Sequence, residues 1–484
     1  MATQKKSNKP LKGTKGKDNL IVAAKKNVEV FAYAGNDTIT VNKGANHKVY
    51  AGAGKDKIIV KTGTSVDVYG DASKYDYYTN GYTTKGDKDT ITVNGGKSIG
   101  VFGEAGNDAI NVKGGKNLYI TGGAGTDTIK VYGGSGHTIY GDFSNNDIYK
   151  NLQKNDNIYI HGGSFDKIDG GGGGDKITVS KKAKGGASKD DTANIYGGAG
   201  GDTIKVSVGT NYNIYGDDGA DKITLKNSKT YAQVTGGDGN DTITISKSNN
   251  TRIDGGADND TINVTGGTDN GIIDKYGSNT INATSLKSSG GYFSSAEITC
   301  GTGKDIITLT KCSSCNVDPG EGANEITIDG GQNNKISYSS TDSKTDTIII
   351  KGGGTGHKVI NSLGGKVTVS GKGTTCDITI GPGSGSATLE AGSKTALSFN
   401  YYSSGKFTIN AAKGALVSDM ITLSNSSSQF KFGHVGSSTL TLTGNGAGSL
   451  TIYNFTNGAF AGGIKFSDNS IPMSYNEIKT KAGL

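Results

Sequence analysis

The chain has 484 residues, 80 of them glycine and four proline, with no tryptophan and 32% hydrophobic side chains. That is too little apolar material for an ordinary globular core of this length, and the glycines do not fall at every third position as in collagen. The net charge of +7 owes most to Lys5, Lys6, Lys9, Lys12, Lys15 and Lys17, which precede Asp18 with no acid among them, and Arg252 is the sole arginine, so the charge argues against nucleic acid as a partner.

In chain order, residues 1–12 read as a basic, flexible tail. From residue 13 an aspartate returns at a spacing of 19: Asp18, Asp37 and Asp56, then Asp89, Asp108 and Asp127, Asp156 and Asp175, Asp202 and Asp221, Asp241 and Asp260. Asn279 and Asn324 take the same place 19 residues after Asp260 and Asp305. A self-similar period near 20 marks a solenoid.

Each period resolves into two short strands. The first, strand A, follows the aspartate: in Asp37-Thr38-Ile39-Thr40-Val41, Ile39 and Val41 share one face and the threonines the other. The second, strand B, contains His47-Lys48-Val49-Tyr50, with Val49 inward. Its inward position recurs as Val49, Val68, Val101, Ile120, Ile139, Ile168, Ile195, Ile214, Val234 and Ile253. The expected fold is therefore all-β: a parallel β-roll or β-solenoid of about 19-residue coils with two short strands per coil.

This array is expected over 13–350, broken by loop insertions near 71–88, 142–155, 181–194 and 283–296. The first insertion is rich in tyrosine (Tyr75, Tyr77, Tyr78, Tyr82). Residues 351–449 read as a degenerate solenoid in which Lys366-Val367-Thr368-Val369 and Leu440-Thr441-Leu442-Thr443 still alternate. Residues 450–484, with Phe455, Phe460 and Phe466, read as a cap over an open sheet edge or as a secretion signal. Cys312 and Cys315 form a CxxC with only Cys300 nearby and no histidine, so the alternatives are two buried thiols, a turn-closing disulfide, or metal and redox chemistry.

No apolar run of 18 residues is present, so no helix is expected to cross a membrane, and the start of the chain lacks the apolar stretch of a secretory signal peptide. None of the five histidines lies in HExxH and no serine in GxSxG, so no enzyme is expected. The chemistry concentrates in the aspartate turns. Carboxylates stacked about 4.8 Å apart repel one another, and a cation between them relieves the repulsion. Carboxylate and glycine carbonyl oxygens are the hard ligands that suit Ca²⁺. The candidate metal ligands are Asp37, Asp56, Asp108, Asp127, Asp175, Asp202, Asp221, Asp241, Asp260 and Asp305. Neighbouring lysines such as Lys55, Lys57, Lys88, Lys176 and Lys222 offer a metal-free way to neutralise the same rungs.

Gly122-Gly123-Ala124-Gly125-Thr126-Asp127-Thr128-Ile129-Lys130 resembles the GGxGxDxUx nonapeptide of the RTX, or haemolysin-type calcium-binding, repeat family. Gly170–Asp175, Gly197–Asp202 and Gly236–Asp241 are further complete copies, and the resemblance covers residues 13–350. It implies a calcium-loaded β-roll, an extracellular location, and type I export through an uncleaved C-terminal signal. In that family both half-turns carry the aspartate. Here His47, Val66, Ile99, Leu118, His137, Tyr212 and Ala232 stand at the second position, so one calcium column is expected.

The function expected is that of a secreted, non-enzymatic calcium-binding protein with a structural role at the cell surface, in a surface layer, a matrix or an adhesin. Its partners would be calcium ions and further copies of itself in a filament or lattice. The alternative is a glycan-binding module using outward Tyr50, Tyr69, Tyr140, Tyr196 and Tyr215 with the tyrosine-rich loops. An ice-binding row of threonine pairs is interrupted by Lys130, Tyr159 and Lys205.

Overall fold

A computed structural model describes residues 2–4, 9–23, 25–71, 86–142, 154–180, 182–185, 192–207, 211–289, 296–338, 346–361, 364–380, 384–399, 406–412, 416–423, 427–444, 448–457, 463–467 and 472–484. The bodies of the four insertions, including Tyr75, Tyr77, Tyr78 and Tyr82, lie outside them. Strand accounts for 58% of the chain and helix for 3%, and the strands stack in parallel about 19 residues apart, which makes this a β-solenoid. The chain divides into two compact units, Met1–Thr251 and Arg252–Leu484.

In the first unit strand A of each coil pairs in parallel with strand A of the next. Thr38–Val41 lies beside Asn19–Val22 and Lys57–Val60, with Ile39 facing Leu20 and Ile58. Strand B does the same, so that Val30, Val49, Val68, Val101 and Ile120 are successive register partners. Alternation puts every second residue inside. Every member of the expected inward column from Val49 to Ile253 is fully buried, as are Ile39 and Val41. A further inward column comes from the residues that stand where a second aspartate was sought: His47, Val66, Ile99, Leu118, His137, Tyr212 and Ala232 are all at most 1% exposed. The second half-turn thus fills its interior with side chains, and its imidazoles are hydrogen-bonded. His47 Nδ1 accepts from Val28 N at 3.1 Å, and His137 Nδ1 from Leu118 N at 3.4 Å.

The stack also takes in residues expected to be a flexible tail. Ala2–Gln4 pairs in parallel with Asn19–Val22, and Leu11–Lys12 with Glu29–Phe31. Leu11 is buried and Lys12 exposed, so a single apolar residue in register, among lysines that face water, suffices to extend a coil.

In the second unit the parallel coils continue past residue 350 without the aspartate: Thr347–Lys351, Gly364–Val369, Ser384–Leu389 and Lys406–Ala411 pair in sequence. The end differs from the expected solenoid. Phe430–Val435, Thr439–Gly444 and Ser449–Tyr453 form an antiparallel meander, so Leu440–Thr443 does not belong to a coil. Three residues, Gly436, Ser437 and Ser438, separate the first two strands, which is enough for a hairpin and far too few for a parallel crossover. Helix Tyr475–Ala482 lies against Phe430–Val435 and buries Ile478 and Ala482. A capping box holds its start, with Ser474 N donating to Glu477 Oε2 at 2.7 Å and Glu477 N to Ser474 Oγ at 3.4 Å. Ser474→Ala is expected to cost about 1 kcal/mol, read as a lower urea midpoint.

A candidate metal column in the aspartate turns

The aspartates that recur in sequence form a continuous ladder in the first unit. The backbone N–H of Asp18 donates to Asp37 Oδ1, Asp37 N to Asp56, Asp56 N to Asp89, and so on through Asp108, Asp127, Asp156, Asp175, Asp202 and Asp221 to Asp241, at 2.6–2.8 Å throughout. Each carboxylate therefore caps the turn of the coil before it with a charge-assisted bond. In the second unit Asp260 N donates to Asn279 Oδ1, Asn279 N to Asp305, Asp305 N to Asn324, and Asn324 N to Asp346. All ten expected ligands are rungs. So are Asp89 and Asp156, which are not among those ten although their spacing of 19 to Asp108 and Asp175 points to them.

The second carboxylate oxygen decides the chemistry. Oδ2 of Asp37, Asp56, Asp89, Asp108, Asp127, Asp156, Asp175, Asp202 and Asp221 is buried without a hydrogen-bond partner. The glycine five residues before Asp127 shows what lies beside that oxygen: a Cβ on Gly122 would land on both Asp127 Oδ2 and the carbonyl oxygen of Gly141 in the next coil. The same two-oxygen crowding recurs at Gly103, Gly141, Gly170, Gly197 and Gly216. Glycine is required there because a carboxylate oxygen and a carbonyl oxygen converge on its α-carbon. The Gly141 carbonyl already accepts from Gly123 N at 2.9 Å, whereas Asp127 Oδ2 has no donor, so it is the buried carboxylate that calls for a proton or a cation.

Burial makes the anion costly. Desolvation pushes Asp127, Asp56 and Asp175 up to about 7, Asp202 and Asp89 to about 8, and Asp108 to about 9, with the neighbouring rung's charge adding to the rise at Asp108. Asp156 is pushed to about 10 by burial and then by Asp127 and Asp142. The asparagine rungs of the second unit show the uncharged solution, since Asn279 Nδ2 donates to the Tyr276 carbonyl at 2.8 Å and Asn324 Nδ2 to that of Pro319 at 3.1 Å. The nearby lysines do not neutralise the ladder. Lys55, Lys57, Lys88, Lys176 and Lys222 are exposed, and no salt bridge to a rung occurs among the described residues.

The donor set fits calcium in kind, being all hard oxygen, one carboxylate per coil plus glycine carbonyls. Among the described residues no group of three or more His, Cys, Asp or Glu side chains is placed to hold a metal, so a bound ion would draw most of its ligands from the backbone. Two more buried acids adjoin the ladder at the necks of insertions: Asp71 Oδ1 accepts from Asp87 N at 3.3 Å, and Asp142 Oδ2 from Gly172 N at 2.9 Å. Their signal in the sequence is an acid where complete copies have their second glycine.

The outward aromatics of strand B take a form the sequence did not suggest. Phe31, Tyr50, Tyr69 and Phe102 stack face to face at 4.8–5.2 Å between centroids, within 8° of parallel. Tyr50 and Tyr69 are only 3% and 4% exposed. In this run each ring has at least one face covered by a neighbouring ring. Tyr196 and Tyr215 stack likewise at 5.0 Å. Cys300, Cys312 and Cys315 are free, buried thiols. No protein-family model matches the chain, and no curated protein matches it.

Proposed function

We propose that the protein is a non-enzymatic calcium-binding β-solenoid with a structural role outside the cell. The observation that carries this reading is the run of buried Oδ2 atoms, from Asp37 to Asp221, each without a hydrogen-bond partner and, at Asp108, Asp127, Asp175, Asp202 and Asp221 among others, set beside a glycine carbonyl. Calcium supplies charge at these rungs, and the chain's own residues do the rest. The Oδ1 atoms fix the carboxylates by accepting backbone N–H groups, the glycines keep the approach open, and the inward Ile and Val columns hold the coils in register. Export and a surface role rest on the resemblance of the complete turns to calcium-binding repeats.

Isothermal calorimetry is the direct test. Calcium titrated into chelator-treated protein at neutral pH is expected to bind at several rungs and to release protons, because these carboxyls are largely protonated when metal-free. The heat should therefore depend on the ionisation enthalpy of the buffer. Absence of binding heat in every buffer, with identical melting curves in chelator and in millimolar calcium, would remove calcium from the proposal.

A further inference from the structure

Outside the insertions, which carry Asp76, Asp147, Asp190 and Asp191, the acids of the first unit are confined to the aspartate turns and strand B. Residues 19–28, 38–47, 57–66, 90–99, 109–118, 128–137, 157–165, 176–185, 203–207, 222–232 and 242–251, which follow the start of each strand A, contain no Asp or Glu; Asp190 and Asp191, in the insertion before Ala193–Ala199, are the exception between a strand A and its strand B. The same stretches are rich in lysine. Lys57, Lys130, Lys176, Lys205 and Lys222 project from the outer face of strand A, and the turns that follow add Lys61, Lys113 and Lys226 among others. None of the five on the strand face is in a salt bridge among the described residues. In the second unit the corresponding stretches include Glu325 and Asp329, paired with Lys304 and Lys351.

Register keeps these charges from destabilising the sheet. Lys57 lies between Thr38 and Thr90, Lys176 and Lys222 flank Thr203, and Lys205 lies between Thr178 and Thr224. No two strand-face lysines are direct cross-strand neighbours, where like charges repel most, yet all lie on one side. The lysines thus give this side a positive bias that attracts an extended polyanion.

The groups between the lysines select the kind of polyanion. They are mainly Thr and Asn, hydroxyls and amides suited to sugar hydroxyls. Tyr159 sits in a shallow groove with Thr128, Lys130, Asn157 and His161. The ammonium groups of Lys130 and Lys176 stand 6.0 and 5.7 Å from its ring centroid, and His161 stacks both on Tyr159 at 6.2 Å and on Tyr132, 49% exposed, at 4.9 Å. Arginine, the residue that clamps phosphates in two-point contacts, is absent from the face, and apolar anchors for a lipid surface are few. A second copy of the chain offers a poorer match, because its strand B side mixes Glu29, Asp67, Asp166 and Asp169 with Lys48 and Lys167. We propose that the strand A face of the first unit binds an acidic polysaccharide, a polymer bearing sugar carboxylates, with Lys57, Lys130, Lys176, Lys205 and Lys222 supplying the charge and Tyr159 a contact for the sugar ring.

The full chain, in chelator so that calcium cannot bridge polymer and protein, is titrated with polygalacturonate, with duplex DNA, and with vesicles containing phosphatidylserine. Wild type is expected to prefer polygalacturonate and to lose affinity steeply between about 50 and 200 mM salt. The five-fold Lys→Gln variant of the strand face should bind at least about tenfold more weakly. Lys55→Gln/Lys88→Gln/Lys154→Gln, on the aspartate-turn side, should stay within about twofold. Tyr159→Ala should weaken polygalacturonate binding while leaving the melting temperature unchanged, which separates contact from folding. Equal loss in the two lysine variants, no effect of Tyr159→Ala, or equal or tighter binding of DNA or vesicles overturns the proposal, as does failure of wild type to bind polygalacturonate.

Discussion

In calcium-free buffer the protein is expected to be most stable in mildly acid solution and to lose stability steadily as the pH rises through neutrality, with millimolar calcium reversing the trend. The direction follows from the rungs. An aspartate in the unfolded chain titrates near 3.9, whereas in the fold burial holds Asp56, Asp127 and Asp175 at about 7, Asp89 and Asp202 at about 8, Asp108 at about 9 and Asp156 at about 10. Between those limits the folded chain binds more protons than the unfolded one, so its stability falls as protons are withdrawn. The contribution is fully present below about pH 4 and is lost progressively as pH rises from there to the folded values, about 7 to 10. A rung lying between its unfolded and folded values lowers stability by about 1.4 kcal/mol per pH unit, a sizeable share of the 5–15 kcal/mol typical of a domain. On the proposed function calcium would act in the opposite sense, since an ion bound by the deprotonated rungs of the folded state alone stabilises by mass action. Melting temperatures at pH 5, 7 and 9, in chelator and in calcium, test both halves. A profile that is flat in chelator would mean that the rungs are solvated and that neither proton nor metal is needed there.

The period of 19 and the alternation within it made the coil legible, because Ile39, Val41 and Val49 must turn inward wherever strands stack in parallel. The same counting located the ladder, since a turn former at a constant phase lands at the same height in every coil. What the counting could not supply was the use of each oxygen. That Oδ1 of Asp56 would take the N–H of Asp37 while Oδ2 meets a glycine α-carbon in the complete copies depends on the tilt of the turn, which leaves no mark on spacing. Outward residues were harder to read for a related reason. Alternation placed Tyr50 and Tyr69 outside the coil, but the stacking of like rings on adjacent coils then buried them. Leu11 and the hairpin at Phe430–Gly444 were missed because one apolar residue, or one short Gly-Ser-Ser turn, carries too little periodicity to distinguish a tail from a coil or an antiparallel strand from a parallel one.

Two substitutions at one rung should act in opposite directions. Asp127→Ala removes the acceptor for the Asp108 N–H, now bonded at 2.6 Å, and leaves that buried donor unsatisfied, so a loss of about 1–3 kcal/mol is expected at every pH and calcium level. Asp127→Asn keeps an oxygen for the same N–H and offers an Nδ2 donor toward the Gly141 carbonyl that crowds Gly122, as Asn324 does toward Pro319. In chelator at pH 8 it should therefore match or exceed wild type, because it avoids a buried anion. In millimolar calcium it should fall below wild type, because the amide is a weaker ligand and brings no charge. Urea midpoints for wild type and both variants, each in chelator and in calcium, read the result. If Asp127→Asn ranks the same against wild type in both buffers, the rung holds no ion, and if Asp127→Ala is neutral, Oδ1 does not carry the turn.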